Sequence, residues 1–136
     1  MPLYQPGLEV PVLEQFSLKG KTALVTGGSR GIGRQIVQGL AEAGADVAFT
    51  YRTATEASET AASIAERTGV RARAYYADVT ERIALGETMD RIAIEFANGH
   101  LNIVIANAGV CQNVPSLEYD EEAWSHMNSV NYDGAM

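Results

Sequence analysis

Thr22-Ala23-Leu24-Val25-Thr26-Gly27-Gly28-Ser29-Arg30-Gly31-Ile32-Gly33-Arg34-Gln35-Ile36-Val37 is the stretch from which the rest of the chain is read. Ala23-Leu24-Val25 is a short apolar run of the kind that makes a strand buried on both faces. Glycines then arrive at Gly27, Gly31 and Gly33, and an apolar helical period follows at once through Ile32, Ile36, Val37 and Leu40. A strand that stops at glycines and restarts as a helix suits a phosphate. Gly27 lets the chain turn off the strand end, while Gly31 and Gly33 leave room for a pyrophosphate and for close helix–strand packing. The free N–H groups and positive end of the helix then face the anion. An ordinary βα turn is the bland alternative, and the strand before and helix after weigh against it.

Outward from this stretch the pattern repeats. Helix one is expected from about Ile32 to Ala43, with Gly44 as its stop. Asp46 to Tyr51 alternates as strand two, and a second helix runs from about Thr55 to Thr68, with Ala57, Ala61, Ile64 and Ala65 on one face and Gly69 ending it. Val70 to Ala77 reads as strand three, and Thr80 as a side-chain cap for a helix over Glu81 to Ala97. That helix carries an apolar stripe of Leu85, Met89, Ile92, Ala93 and Phe96, and Asn98-Gly99 stops it. Leu101 to Ala106 is strand four, and Asp120 caps a last helix containing Trp124, Met127 and Val130. Upstream, Met1 to Phe16 holds Pro2, Pro6 and Pro11 without a period and reads as an extended arm, with Val10, Val12, Leu13 and Phe16 able to dock on the domain formed by residues 17–136. Strands alternating with helices call for an α/β fold, a doubly wound parallel sheet in the order 3-2-1-4, with ligand over the carboxyl ends of strands one, two and four.

The 136 residues amount to one domain at most, and 46% apolar with 20% charged residues fits a globular core. A net charge of −7 with scattered basic residues argues against nucleic acid and anionic membranes as partners. Cys111 is the single cysteine and His100 and His126 the only histidines, so neither an internal disulfide nor a metal site is expected. There is no leader-like N-terminus and no run of 18 apolar residues, and the expected compartment is cytoplasmic.

A dinucleotide half-site places an Asp or Glu about 20 residues past the glycines, on the ribose 2′-hydroxyl. Here strand two ends Thr50-Tyr51-Arg52-Thr53, without a carboxylate. Arg52 offers a guanidinium that suits a 2′-phosphate, and Arg30 in the glycine loop can add a second, which favours NADP(H) over NAD(H). The alternative is that either arginine caps a solvated surface. Strand four ends Ile105-Ala106-Asn107-Ala108-Gly109, where small residues let backbone approach a ligand and Asn107 can bond across to neighbouring strand ends.

The loop reads G-x-x-x-G-x-G, not the usual G-x-G-x-x-G, and Thr26-Gly27-x-x-x-Gly31-Ile32-Gly33 resembles the cofactor loop of the short-chain dehydrogenase/reductase family. Asn107-Ala108-Gly109 resembles that family's Asn-Asn-Ala-Gly segment with Ala106 in place of the first Asn, and Val130-Asn131-Tyr132-Asp133-Gly134 resembles its next segment. The resemblance runs from about Leu18 to the last residue and is closest to fungal NADP-linked mannitol dehydrogenases and sorbose reductases. It implies a Rossmann sheet. It also implies cofactor contacts from Gly27, Ser29, Arg30, Gly31, Ile32, Gly33, Arg52, Asn107, Ala108 and Gly109, with Asp78-Val79 along the adenine ring. Asn131 would hold a water or lysine in a proton relay.

The same resemblance implies a catalytic serine and a Tyr-x-x-x-Lys. Four residues after Tyr4, Tyr51, Tyr75, Tyr76, Tyr119 and Tyr132 stand Leu8, Thr55, Val79, Thr80, Ala123 and Met136, and the only lysines are Lys19 and Lys21. The expectation is the cofactor-binding half of an oxidoreductase that transfers hydride between NADPH and a small carbonyl or alcohol substrate. Its serine, tyrosine and lysine would lie beyond residue 136, the remainder of the sheet would be missing, strand four would be an uncovered edge and the last helix would lack its packing partner. Dimers or tetramers are implied for a full-length parent. A catalytically inactive nucleotide-binding or interaction module is the alternative. A methyltransferase is a third, and Arg52 speaks against it.

Overall fold

Hydrophobic periods that switch between two and 3.6 residues set the element order. The computed structural model describes residues 11–53, 55–96 and 100–136. A short helix α1 (Val12–Gln15) precedes β1 (Thr22–Val25), α2 (Gly31–Glu42), β2 (Asp46–Tyr51), α3 (Ala57–Thr68) and β3 (Ala72–Tyr76). Then come α4 (Arg82–Glu95), β4 (Ile103–Ile105) and α5 (Glu121–Asn131), with single 3-10 turns at Ser116–Glu118 and Asp133–Ala135. The four strands form one parallel sheet in the order β3-β2-β1-β4, the doubly wound α/β arrangement that the alternation of elements demands. Val25 lies opposite Phe49 on one side and Ile105 on the other, so β1 and β4 end level where the glycine loop begins and β2 runs two residues further, to Tyr51.

Every residue of β1 is buried, as a strand covered on both faces requires. Alternate residues feed two cores. Ala23, Val25, Val47 and Phe49 pack with Val37 and Ala41 of α2 and Ala57, Ala61 and Ile64 of α3. Leu24, Ala48 and Tyr75 point the other way and meet Ile92 and Phe96 of α4, with Met89 and Leu101 at the margin. Arg71 ties the second layer at its base. It bonds both carboxylate oxygens of Asp46 (2.9 and 2.8 Å), donates to the Phe96 carbonyl at the end of α4 (2.7 Å) and lies over the Phe96 ring.

Several expectations change. Thr80 does not cap α4: its hydroxyl donates to Asp78 Oδ1 (2.8 Å), and Glu81 stands at the N-cap without a side-chain bond. With Arg82 the first helical residue, Thr80 stands one position before the N-cap, and its N–H and hydroxyl close a turn on Asp78 instead. The second helix starts at Ala57, and β3 and β4 are shorter than the apolar runs that contain them, because parallel pairing ends where the register partner ends. Val12, Leu13 and Phe16 of the arm do not dock; all three are exposed on or beside α1. Val10, and the helix stop at Ala97 to Gly99, lie outside the described residues. Among the described residues β4 has no partner strand on its outer side, and Val104 is exposed there. Along α5 Trp124 stays exposed, touched edge-on by its sequence neighbour Tyr119 (6.3 Å between centroids), whose hydroxyl approaches Met127 Sδ at 3.2 Å. Asp120 caps α5 as expected, accepting from the Ala123 N–H.

Phe49 has no exposed surface and bridges β2 to both helices of the first layer. Phe49→Ala is expected to cost about 3–5 kcal/mol in urea unfolding, the range for emptying an aromatic site that cannot collapse.

Candidate functional site

Because β1 leads outward to β2 and β3 on one side and β4 lies on the other, the order in which strands are added reverses between β1 and β4, and a crevice opens over the carboxyl ends of the parallel strands. The cleft has a volume of about 450 Å³. All twelve residues expected to bind cofactor line it: the glycine-loop set from Gly27 to Gly33, Arg52, Asp78, Val79, and Asn107 to Gly109.

The loop is held from both neighbouring strands. Gly27 has φ +67°, a left-handed conformation that turns the chain off β1, and a Cβ there would stand 3.0 Å from Ala108 Cα. Its N–H donates to Thr50 Oγ1 (3.2 Å) and its carbonyl accepts from Asn107 Nδ2 (3.2 Å). Thr26 Oγ1 accepts the N–H groups of Asn107 and Ala108, both at 3.0 Å, and Asn107 Nδ2 also reaches the Thr26 carbonyl (3.0 Å). Gly33 sits where any Cβ would collide with the Gly27 carbonyl oxygen and lie 2.5 Å from Asn107 Nδ2, so its absent side chain serves helix–strand packing. Gly31 has open space instead, on the cleft side. Arg30 is the N-cap of α2 in extended conformation, and no side chain caps this helix. By helix geometry the first N–H groups of α2 lack intrahelical acceptors, which leaves them for an anion. Ile32 is exposed on this wall despite being apolar.

At the other end of the cleft the ends of β2 and β3 meet. Arg52 Nη1 lies 3.6 Å from Asp78 Oδ2, a pairing that the sequence does not announce. Asp78 Oδ1 accepts from the backbone N–H and the hydroxyl of Thr80 (2.9 and 2.8 Å). Burial alone would raise the Asp78 pKa, but the Thr80 hydrogen bonds and the Arg52 guanidinium outweigh it and hold the carboxyl below its ordinary value. Val79 is buried beside it, against Gly134 of the last turn.

Asn131 is the final residue of α5, not a mid-helix one. Its Oδ1 accepts the Val110 N–H and its Nδ2 donates to the Val110 carbonyl, both at 2.8 Å. This two-bond clasp fastens the segment after β4 to the helix. Residues that sequence reasoning passed over also shape the site. Thr26 and Thr50 are buried threonines at strand ends, where only the strand pairing reveals their partners. Gly28 is closed in, because a Cβ there would lie 2.5 Å from Phe49 Cβ. Tyr51, Thr53, Ala77, Val110 and Val130 complete the lining. Among the described residues there is no cluster of His, Cys, Asp and Glu placed to hold a metal ion, and no helix is long and apolar enough to cross a membrane.

The lowered Asp78 pKa has a pH consequence. The charged carboxylate favours the folded state above the unfolded pKa, and that contribution is lost as pH falls through the lower folded value. Urea midpoints of the parent and Asp78→Asn should therefore differ most above about pH 5 and converge as the pH drops into the range where the folded carboxylate takes up its proton.

Comparison with known proteins follows the same geometry. A family model described as short chain dehydrogenase matches residues 21–136. The chain is 42% identical over 121 residues to sorbose reductase sou1 of Schizosaccharomyces pombe, covering 88% of this chain and 47% of that protein. It is 35% identical over 137 residues to a probable NADP-dependent mannitol dehydrogenase of Yarrowia lipolytica, covering 99% and 48%. The NADPH-dependent 3-quinuclidinone reductase of Rhodotorula rubra superposes with a TM-score of 0.82 at 38% identity, over 98% of this chain and 50% of that one. The chain thus spans about half the length of the relatives it matches. A match of this extent, at these identities and on this sheet order, means that the chain belongs to the short-chain dehydrogenase family.

Proposed function

We propose that residues 17–136 form the cofactor-binding half of an NADP(H)-dependent oxidoreductase, with residues 1–16 as an arm. The observation that carries the reading is Arg52 at the end of β2, in the place of an acidic ribose ligand and on the wall of the cleft. The residues present fit a dinucleotide. An uncapped helix N-terminus and an open Gly31 suit the pyrophosphate, Arg52 and Arg30 suit a further phosphate, and Asp78 with Val79 suits the adenine end. The Asp78 contact engages one nitrogen of Arg52, and the guanidinium has further N–H donors for a phosphate. The names of the relatives, NADP-dependent or NADPH-dependent in two cases, support the same assignment.

When bound, the nicotinamide supplies hydride transfer to or from a small carbonyl or alcohol. The chain's own part is to seat the phosphates, to bring small residues Ala108 and Gly109 against the ligand, and to hold the Val110 segment through Asn131. Asn131 is the relay residue of this reading, since its carboxamide keeps one lone pair and one N–H beyond the Val110 bonds. The general acid would be the tyrosine of a Tyr-x-x-x-Lys, which these 136 residues do not contain. We therefore assign turnover to the whole protein, as a homo-oligomer in the cytoplasm, with no nucleic acid or membrane partner for a chain of net charge −7. A second reading is a catalytically inactive nucleotide-binding or interaction module, in which NADPH binds without turnover.

Arg52→Asp should weaken NADPH binding by about 10- to 100-fold and leave NADH binding near its original level, measured by fluorescence titration. Equal losses for the two nucleotides would remove the assignment of Arg52.

A further inference from the structure

We infer that Thr50 is a positioning residue for the pyrophosphate seat, acting through the peptide of Gly27. The inference rests on the nucleotide-binding reading. Thr50 is 1% exposed, beneath the cleft, yet its side chain is polar. Its carbonyl accepts the Gly28 N–H (2.9 Å), one residue past the Gly27 N–H to which the β1–β2 register would assign it. Its hydroxyl does something pairing does not require, accepting the N–H of Gly27 at 3.2 Å.

That N–H belongs to the residue at which β1 turns away from the sheet, with φ +67°. The turn would leave it a half-buried donor without a ladder partner, and such a donor draws the backbone toward solvent, which for Gly27 means toward the open cleft it lines. Thr50 supplies the acceptor from β2 while Asn107 Nδ2 holds the Gly27 carbonyl from β4. The Gly27 peptide is thereby fixed from both sides, and the residues after it, Ser29 to Gly33, are left to face the anion. Valine has the same shape and no acceptor. With it, the strand should stay packed while the loop loses its anchor on the β2 side.

The pyrophosphate is common to NADPH and NADH, so the effect of Thr50 must be shared by both, in contrast to that of Arg52. The test is fluorescence titration of the whole protein with each nucleotide, for the parent, Thr50→Val and Thr50→Ser, together with amide hydrogen exchange at Gly27. Thr50→Val should weaken both nucleotides by the same factor, about tenfold, and Thr50→Ser should stay within about twofold of the parent. Exchange at Gly27 should accelerate in the valine variant alone, with β1 still protected. Parental affinity in Thr50→Val overturns the inference, as does a loss confined to NADPH or a serine variant as weak as the valine one. Failure of Thr50→Val to fold makes Thr50 a packing residue and also overturns it. These outcomes leave the functional reading standing; a parent that binds neither nucleotide overturns both.

Discussion

Four hydrogen bonds between the end of β1 and the end of β4 hold this structure open at the right place: Thr26 Oγ1 takes the N–H groups of Asn107 and Ala108, and Asn107 Nδ2 returns to the carbonyls of Thr26 and Gly27. Each contributes roughly 1 kcal/mol net, but a buried donor or acceptor left without its partner costs more. The bonds lie where the sheet order reverses, so adjacent strands depart toward helices on opposite faces and cannot cover their own ends. The crevice follows from that topology. The amide of Asn107 keeps its two edges from drifting, and Gly33 lets α2 come close enough for this to work.

The chemistry of the cleft follows from the same frame. An acidic chain holds an anion site because the positive features are local. The start of α2, Arg30 and Arg52 stand around one opening, and charges beyond a Debye length of about 8–10 Å are screened. Asp78 is the exception inside the site. Its charge is kept by Thr80 and shared with Arg52, which aims the guanidinium along the ends of β2 and β3. The far end of the cleft is fastened differently, by the Asn131 carboxamide imitating a strand against Val110. Rigid attachments at both ends, with small residues between, are what a long flexible ligand needs if its reactive ring is to stop in one position.

Ala23-Leu24-Val25, the glycines and the period through Val37 and Leu40 were enough to read β1, the loop and α2, because a strand–glycine–helix passage is a local pattern. A ligand crevice over the carboxyl ends of β1, β2 and β4 was legible from the alternation of strands and helices, while the place of Asp78 beside Arg52 and Asn107 on its wall was implied by the family resemblance. Thr80 was misread. Its residue type suits a cap, but α4 begins one residue too late for it, and its hydroxyl donates to Asp78 instead. Phe16 and Leu13 have an apolar character that suggests docking, but both side chains stay exposed.

The sequence by itself determined the alternation of elements, the strand order, the phosphate-suited loop, and the absence of a Tyr-x-x-x-Lys from these residues, since each depends on neighbours within a few positions or on a handedness common to all L-polypeptides. Only the tertiary structure decided that Thr50 grips Gly27, that Arg52 meets Asp78, and that Asn131 clasps Val110. Thr50 and Gly27 are 23 positions apart, Asn131 and Val110 are 21, and Thr26 and Asn107 are 81. Partners at such separations are brought together by the pairing of strands and, for Asn131, by the place of α5, and a one-residue shift of β2 would by itself turn Thr50 to the other face.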